Sequence, residues 1–197
     1  MFNFIIILES GKIYRNLLIF LKQQIYIVGQ NCTGESTIPK SSNGESLIPE
    51  SAETVKLLSA GKTARQSSVS QWSNANDSQG GVDGVKNGGF GFHTASQPNP
   101  WWEVDLGAVA KLNEIVIFNR IDYNPERSRT IQVLLSGDGK TWQTFYKHDG
   151  TIFGGKDGRP LRVSLKGSLA RFVRLQLAEE TYFHLDEVEI FGNVRDN

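Results

Sequence analysis

What most restricts how this chain can fold is the alternation of apolar and polar residues between about Glu53 and Gly192. Ile131, Val133 and Leu135 alternate with Gln132 and Leu134. Leu161, Val163 and Leu165 alternate with Arg162 and Ser164, and Val173, Leu175 and Leu177 with Arg174 and Gln176. Successive side chains of a strand point to opposite faces, so each run reads as a strand with one face in a core. Ile115 to Phe118 are apolar on both faces, which predicts a strand held between layers. Glycine, asparagine, aspartate and proline break the runs at short intervals. Ser136-Gly137-Asp138-Gly139-Lys140 carries the Asp-Gly chemistry of a tight hairpin turn, with Trp142 placed to re-enter the core on the returning strand. Adjacent Trp101 and Trp102 must face opposite ways, one plugging the interior and the other covering its rim. With no convincing helical stripe here, the expected fold class is all-β, an antiparallel β-sandwich or barrel.

The N-terminal residues differ in character. Glu9, Lys12, Arg15 and Lys22 interrupt their apolar stretches, so no run approaches the roughly 20 residues of a membrane-spanning helix. A basic leader and a small-residue cleavage site are both missing, which makes a poor export signal. Leu17, Leu21, Ile25 and Val28 recur at helical spacing and predict a short amphipathic helix. Residues 1–33 are expected to be an apolar N-terminal segment, with three readings open: loosely ordered or docked, a degenerate signal, or a helix on a membrane surface. Residues 34–52 carry the pattern G-E-S-x-I-P-x-S twice, ten residues apart, and this Ser-, Pro- and Glu-rich stretch reads as a linker. The folded domain is expected over 53–193, followed by a tail at 194–197.

Charge and composition bound the partners. Lys+Arg 21 against Asp+Glu 21 gives a formal net charge of zero, so there is no overall basic field to draw nucleic acid. Cys32 is the single cysteine, which excludes an internal disulfide and a cysteine-based zinc site. The three histidines, His93, His148 and His184, sit in no H-E-x-x-H motif, and no G-x-S-x-G is present. Gly88-Gly89-Phe90-Gly91 precedes no helix of the kind a phosphate loop needs. The carboxylate pairs Asp186-Glu187 and Glu179-Glu180 are adjacent, so on a strand they point to opposite faces and cannot share one glycosidic bond. No catalytic residues are expected.

Binding chemistry concentrates between His93 and Arg127. His93, Arg120, Asp122 and Arg127 flank one strand-like apolar run. A guanidinium presents a rigid fork of donors, and a neutral imidazole donates once and accepts once. Together they can grip the vicinal hydroxyls of a sugar, with Asp122 bracing one guanidinium beforehand. The plainer reading makes Arg120 and Arg127 surface residues paired with Asp122 and Glu126. Trp72, in the polar loop from Ser70 to Gly80, is the better exposed tryptophan.

This spacing resembles the F-type lectin (fucolectin) branch of the discoidin, or coagulation factor V/VIII type C, superfamily. That branch carries a His, 26 residues, Arg-x-Asp, four residues, then Arg or Lys; His93, Arg120-Ile121-Asp122 and Arg127 match it throughout. N-P-W-W-E-V-D-L-G at 99–107, S-G-D-G-K-T-W at 136–142 and H-L-D-E-V-E-I-F-G at 184–192 extend the likeness over nearly all of 54–192. The resemblance implies a jelly-roll, galactose-binding-domain-like sandwich. It implies a non-catalytic lectin for terminal L-fucose or a related sugar on fucosylated glycans, outside the cell or at its surface. His93, Arg120 and Arg127 would hydrogen-bond the ring oxygen and hydroxyls. Phe90 and Phe92 are candidates for a wall against the methyl group, or else fill the base of their loop. Many relatives place a vicinal cystine after Arg-x-Asp; Tyr123-Asn124 stands here, and the Tyr123 ring can serve as the apolar surface. The resemblance also implies a structural Ca²⁺ on Asp83 and Glu187 with carbonyls of Gly80, Val85 and Phe90. Two rival readings accompany it: a discoidin module docking a membrane or protein through Trp72, and the targeting module of a carbohydrate-active enzyme.

Overall fold

The computed structural model describes residues 19–21, 24–26 and 54–194, and the chain divides into two units, Met1–Ile48 and Pro49–Asn197. In the first unit, β1 (Ile19–Leu21) pairs antiparallel with β2 (Gln24–Tyr26), Leu21 opposite Gln24. A hairpin thus replaces the helix expected through Leu21 and Ile25. Ile19, Phe20, Ile25 and Tyr26 are β-branched or aromatic, types that lose side-chain freedom in a helix and suit a pleated strand. The rest of the N-terminal segment, the linker and residues 195–197 lie outside the described residues.

The second unit contains β3 (Lys56–Leu57), β4 (Thr63–Gln66), β5 (Phe92–His93), β6 (Gln97–Pro98), β7 (Trp101–Phe118), β8 (Ile131–Ser136), β9 (Gln143–Lys147), β10 (Leu161–Leu177), β11 (Glu180–Thr181), β12 (His184–Leu185) and β13 (Glu187–Val194). Two short 3-10 turns, Asp77–Gly81 and Pro125–Thr130, are the helical elements among the described residues.

A long antiparallel ribbon of β7 and β10 organises the domain. The first half of β7 pairs with β4 and with the second half of β10, beyond which lie β8 and β9. The second half of β7 pairs with the first half of β10 and with β13, which carries β3. The register slips between Ser164 and Ser168 and again between Ala170 and Phe172. Lys166 (φ 55°) and Gly167 (φ 73°) take left-handed conformations there, and such bulges bend a strand. The alternating runs at 161–165 and 173–177 are therefore halves of one strand. Folded over, the two lobes form a β-sandwich whose single core joins Trp102, Val104 and Leu106 of one half of β7 to Leu112, Ile115 and Ile117 of the other.

The tryptophans separate by face. Trp102 is fully buried, stacks on Phe92 with ring centroids 5.5 Å apart, and donates its indole N–H to the Ser78 carbonyl at 2.8 Å. Trp101 turns outward over the Arg174 guanidinium, 4.4 Å away. Trp142 departs from expectation: it stays out of the core and lies over the same guanidinium at 4.1 Å. The reason is Glu103, whose side chain is only 2% exposed. A buried carboxylate requires cations, Arg174 and Arg65 supply them, and the aromatic faces cover Arg174.

Candidate functional site

Beyond the C-terminal end of β7, several short segments converge. β5 pairs with β12 so that His93 stands directly opposite His184, their ring centroids 5.1 Å apart. The His93 backbone is pinned: Asp77 accepts its N–H at 3.0 Å, and its carbonyl accepts from the Ser70 N–H at 3.1 Å. Arg120 lies two residues past the end of β7, and Arg127 sits in the 3-10 turn leading into β8. The Gly88 carbonyl accepts from both the Ile121 and Asp122 N–H groups, at 3.0 and 3.2 Å, tying the loop before β5 to the arginine segment.

His93, Arg120 and Arg127, together with Trp72, Phe90 and Tyr123, line a cleft of about 380 Å³. Its polar groups are oriented in advance. Asp122 accepts from Arg120 Nε at 2.5 Å and from Nη2 at 3.5 Å, the brace expected from the sequence. Phe90 and Tyr123 flank the same guanidinium, 5.0 and 5.4 Å from its carbon, while Arg127 lies 5.0 Å over Tyr182 and has no carboxylate partner among the described residues. Of the two pairs in the plainer reading, Arg120–Asp122 forms, though with the Arg120 side chain only 13% exposed, and Arg127–Glu126 does not.

His93 is 2% exposed, and burial lowers its pKa, with Arg120 and Arg127 pressing the same way against the hydrogen bond to Thr94. Its Nδ1 lies 2.9 Å from the Thr94 carbonyl. A carbonyl only accepts, so Nδ1 carries the proton and Nε2 keeps a lone pair. The cleft thus combines two guanidinium donors with one imidazole acceptor, and none of its six lining side chains is a carboxylate.

Other expected residues divide. Phe90 is partly buried against His93, centroids 5.3 Å apart, and lines the cleft. Tyr123 also lines it and is 60% exposed. Phe92 does not: it is fully buried between Trp102 and Phe183, because neighbours on a strand face opposite ways and His93 takes the outer side. Trp72 is exposed as expected, yet its ring rests 5.4 Å from both His93 and Tyr182 as a wall of the cleft.

On the proposed calcium set, Glu187 is buried, and its Oε2 has no hydrogen-bond partner. Burial, with Asp83 nearby, pushes its carboxyl up to about 7. Asp83 is exposed and closes its own turn by accepting from the Val85 N–H at 2.8 Å. Asp186, not anticipated in this region, is spoken for by the Gly88 and Asn87 N–H groups. Among the described residues no three His, Cys, Asp or Glu side chains cluster, so a cation there would depend on carbonyl oxygens.

His184 was missed. It is fully buried with both ring nitrogens unpartnered, and burial, then His93 and the two arginines, drives its pKa to about 3. Tyr182, which seats Arg127, was missed as well. The sequence signal for both was their alternation about the β12 strand, readable only once its partner was known.

Fucolectin-6 of Anguilla japonica is 27% identical over 124 residues, 61% of this chain and 66% of the relative, so the chain spans just under two thirds of that relative's length. Among solved structures, the lectin domain of lectinolysin complexed with Lewis B antigen is 28% identical, with TM-score 0.57 over 71% of this chain and 98% of that one. A Streptococcus pneumoniae fucose binding module is likewise 28% identical, with TM-score 0.58 over 70% of this chain and 96% of its own. The profile of the F5/8 type C domain matches residues 63–188, which is more than half of the chain and spans the sandwich from β4 into β13; the chain belongs to the F5/8 type C domain family.

Proposed function

We propose that this domain is a non-catalytic carbohydrate-binding module, a lectin for terminal L-fucose or a closely related sugar. One observation carries the reading: His93, Arg120 and Arg127 face one cleft, with the imidazole held as an acceptor and one guanidinium braced by Asp122. A sugar hydroxyl is both donor and acceptor, so it can donate to His93 Nε2 while accepting from an arginine. A carboxylate or a phosphodiester has no proton to give His93. Phe90, Tyr123 and Trp72 offer apolar faces to the C–H side and methyl group of a 6-deoxy sugar. The likeness to fucose-binding modules supports the same identity.

The proposal includes Ca²⁺ held by Asp83, Glu187 and the carbonyls of Gly80, Val85 and Phe90. The unpartnered buried oxygen of Glu187 supports it, since a cation would supply the missing partner. Terminal fucose is displayed on extracellular glycans, so the proposal places the domain outside the cell or at its surface. Membrane docking through Trp72 has less to recommend it, because that ring packs along the cleft wall. A role as the targeting module of a larger enzyme would use the same binding chemistry.

Calorimetric titration with free L-fucose, galactose and mannose tests the reading. L-fucose is expected to bind most tightly, and binding is expected to vanish in an Arg120→Ala/Arg127→Ala variant. Absence of binding to L-fucose and to any fucosylated glycan would overturn it.

A further inference from the structure

The sandwich opens a second time at the end of β8 remote from Arg127. There a cleft of about 630 Å³ has Leu135, Asp138, Trp142, Phe145 and Leu169 in its lining, together with Gln143 and Ser168. β8 runs from Ile131, next to the Arg127 turn, to Ser136, so roughly 17 Å of strand separates the two clefts. The second cleft is the larger and shares no residue with the first.

Its chemistry is selective. No lysine, arginine or histidine lines it, which disfavours phosphates and anionic headgroups. Asp138 is its one charged lining residue, and that carboxylate is engaged by its own turn: it accepts from the Lys140 and Thr141 N–H groups at 2.8 Å each and from the Ser136 hydroxyl at 3.0 Å. What remains for a ligand is apolar surface on Trp142, Phe145 and Leu169, beside the Gln143 amide and Ser168 hydroxyl, which hydrogen-bond to nothing among the described residues. Trp142 is anchored on Arg174, itself held by Glu103 and Trp101, and Phe145 packs on the core. The aromatic surface is therefore set before any ligand arrives. A neutral ligand that pairs an apolar face with hydroxyls is a saccharide ring.

We propose that this cleft is a second saccharide-binding site, centred on Trp142, which makes one copy of the domain bivalent for glycans. The site itself does not depend on the fucose reading, since it uses other residues; the bivalence rests on it.

The test uses the full chain carrying Arg120→Ala/Arg127→Ala, so that the first cleft is disabled. Saturation-transfer NMR is recorded with maltotriose, cellotriose, chitotriose and lactose. At least one is expected to receive transfer to its ring C–H protons. That signal is expected to disappear on adding Leu169→Arg, which fills the cleft from a position 48% exposed and so is tolerated by the fold. Trp142→Ala should weaken binding at least tenfold, and Trp142→Phe should restore most of it. The proposal is overturned if none of the four sugars gives a signal, or if the signal survives Leu169→Arg. A wild-type chain that fails to bind L-fucose would sink the first reading and the bivalence but not the second site, because the second cleft is judged in the variant that lacks the first.

Discussion

At the scale of single residues, the first cleft rests on groups whose protonation is set by their surroundings. Removing one charged hydrogen bond costs about 1.5–3 kcal/mol, so Arg120→Ala or Arg127→Ala should each weaken fucose binding roughly 10- to 150-fold by titration. His93 must be neutral to accept, and its lowered pKa keeps it so below the ordinary histidine value. Binding should therefore persist as pH falls through the ordinary histidine value of 6.5 and fail only under stronger acid. His184 ties stability to pH in a stated direction. Unfolded, it takes up a proton as pH drops through 6.5; folded, it resists until about 3. The unfolded state then binds more protons, so stability is complete above the unfolded value and declines through that window, by at most ~1.4 kcal/mol per pH unit for one group. Urea unfolding at stepped pH should show a shallower decline in His184→Leu. The His93, Arg120 and Arg127 set was legible because its spacing is local to β7 and its flanks. His184 was not, since the β5–β12 register that pairs it with His93 joins distant parts of the chain.

At the scale of elements, legibility followed the range of the interaction that decides each one. The β8–β9 turn is decided within itself: the Asp138 carboxylate accepts from the Lys140 and Thr141 N–H groups and Gly139 takes φ 71°. The bend in β10 is decided by packing two lobes on one core, so period-two patterning alone showed the halves and not their continuity. Trp142 was misplaced for the same reason, because the demand came from Glu103 on β7. The loop leading to Phe90 depends on a close backbone approach with no side-chain signature. A Cβ built on Gly80 would lie 2.2 Å from the Gly91 carbonyl oxygen, whereas one on Gly137 would meet nothing within 4 Å. Backbone cannot swing aside, so Gly80→Ala should cost about 1–3 kcal/mol and weaken fucose binding by displacing Phe90. Gly137→Ala should change stability by less than about 0.5 kcal/mol. Equal unfolding midpoints for the two variants would refute this account of the loop.

At the scale of the whole domain, the proposed cation and the sugar cleft are joined through one loop. It runs from Gly80 through Asp83 to Phe90, with the Gly84 backbone and Asp83 beside the Glu187 carboxyl of β13, and its Gly88 carbonyl accepts from the Ile121 and Asp122 N–H groups. Without a cation, Glu187 is a stability cost at neutral pH. Its folded pKa is raised to about 7 from 4.5, so the folded state favours the protonated form. That advantage is lost as pH rises from 4.5 through 7. The proposed calcium would reverse the balance by binding the ionised form, and at a hundred times its dissociation constant it would add about 2.7 kcal/mol. Chelation at pH 7.5 should therefore lower the wild-type Tm and also weaken fucose binding, through loss of order at Phe90 and Arg120. Glu187→Gln separates the two effects: metal-free, it should melt higher than the metal-free wild type, and added calcium should stabilise it far less. A wild-type melt unmoved by chelator, with Glu187→Gln no more stable than the metal-free parent, would leave the buried carboxylate without this role.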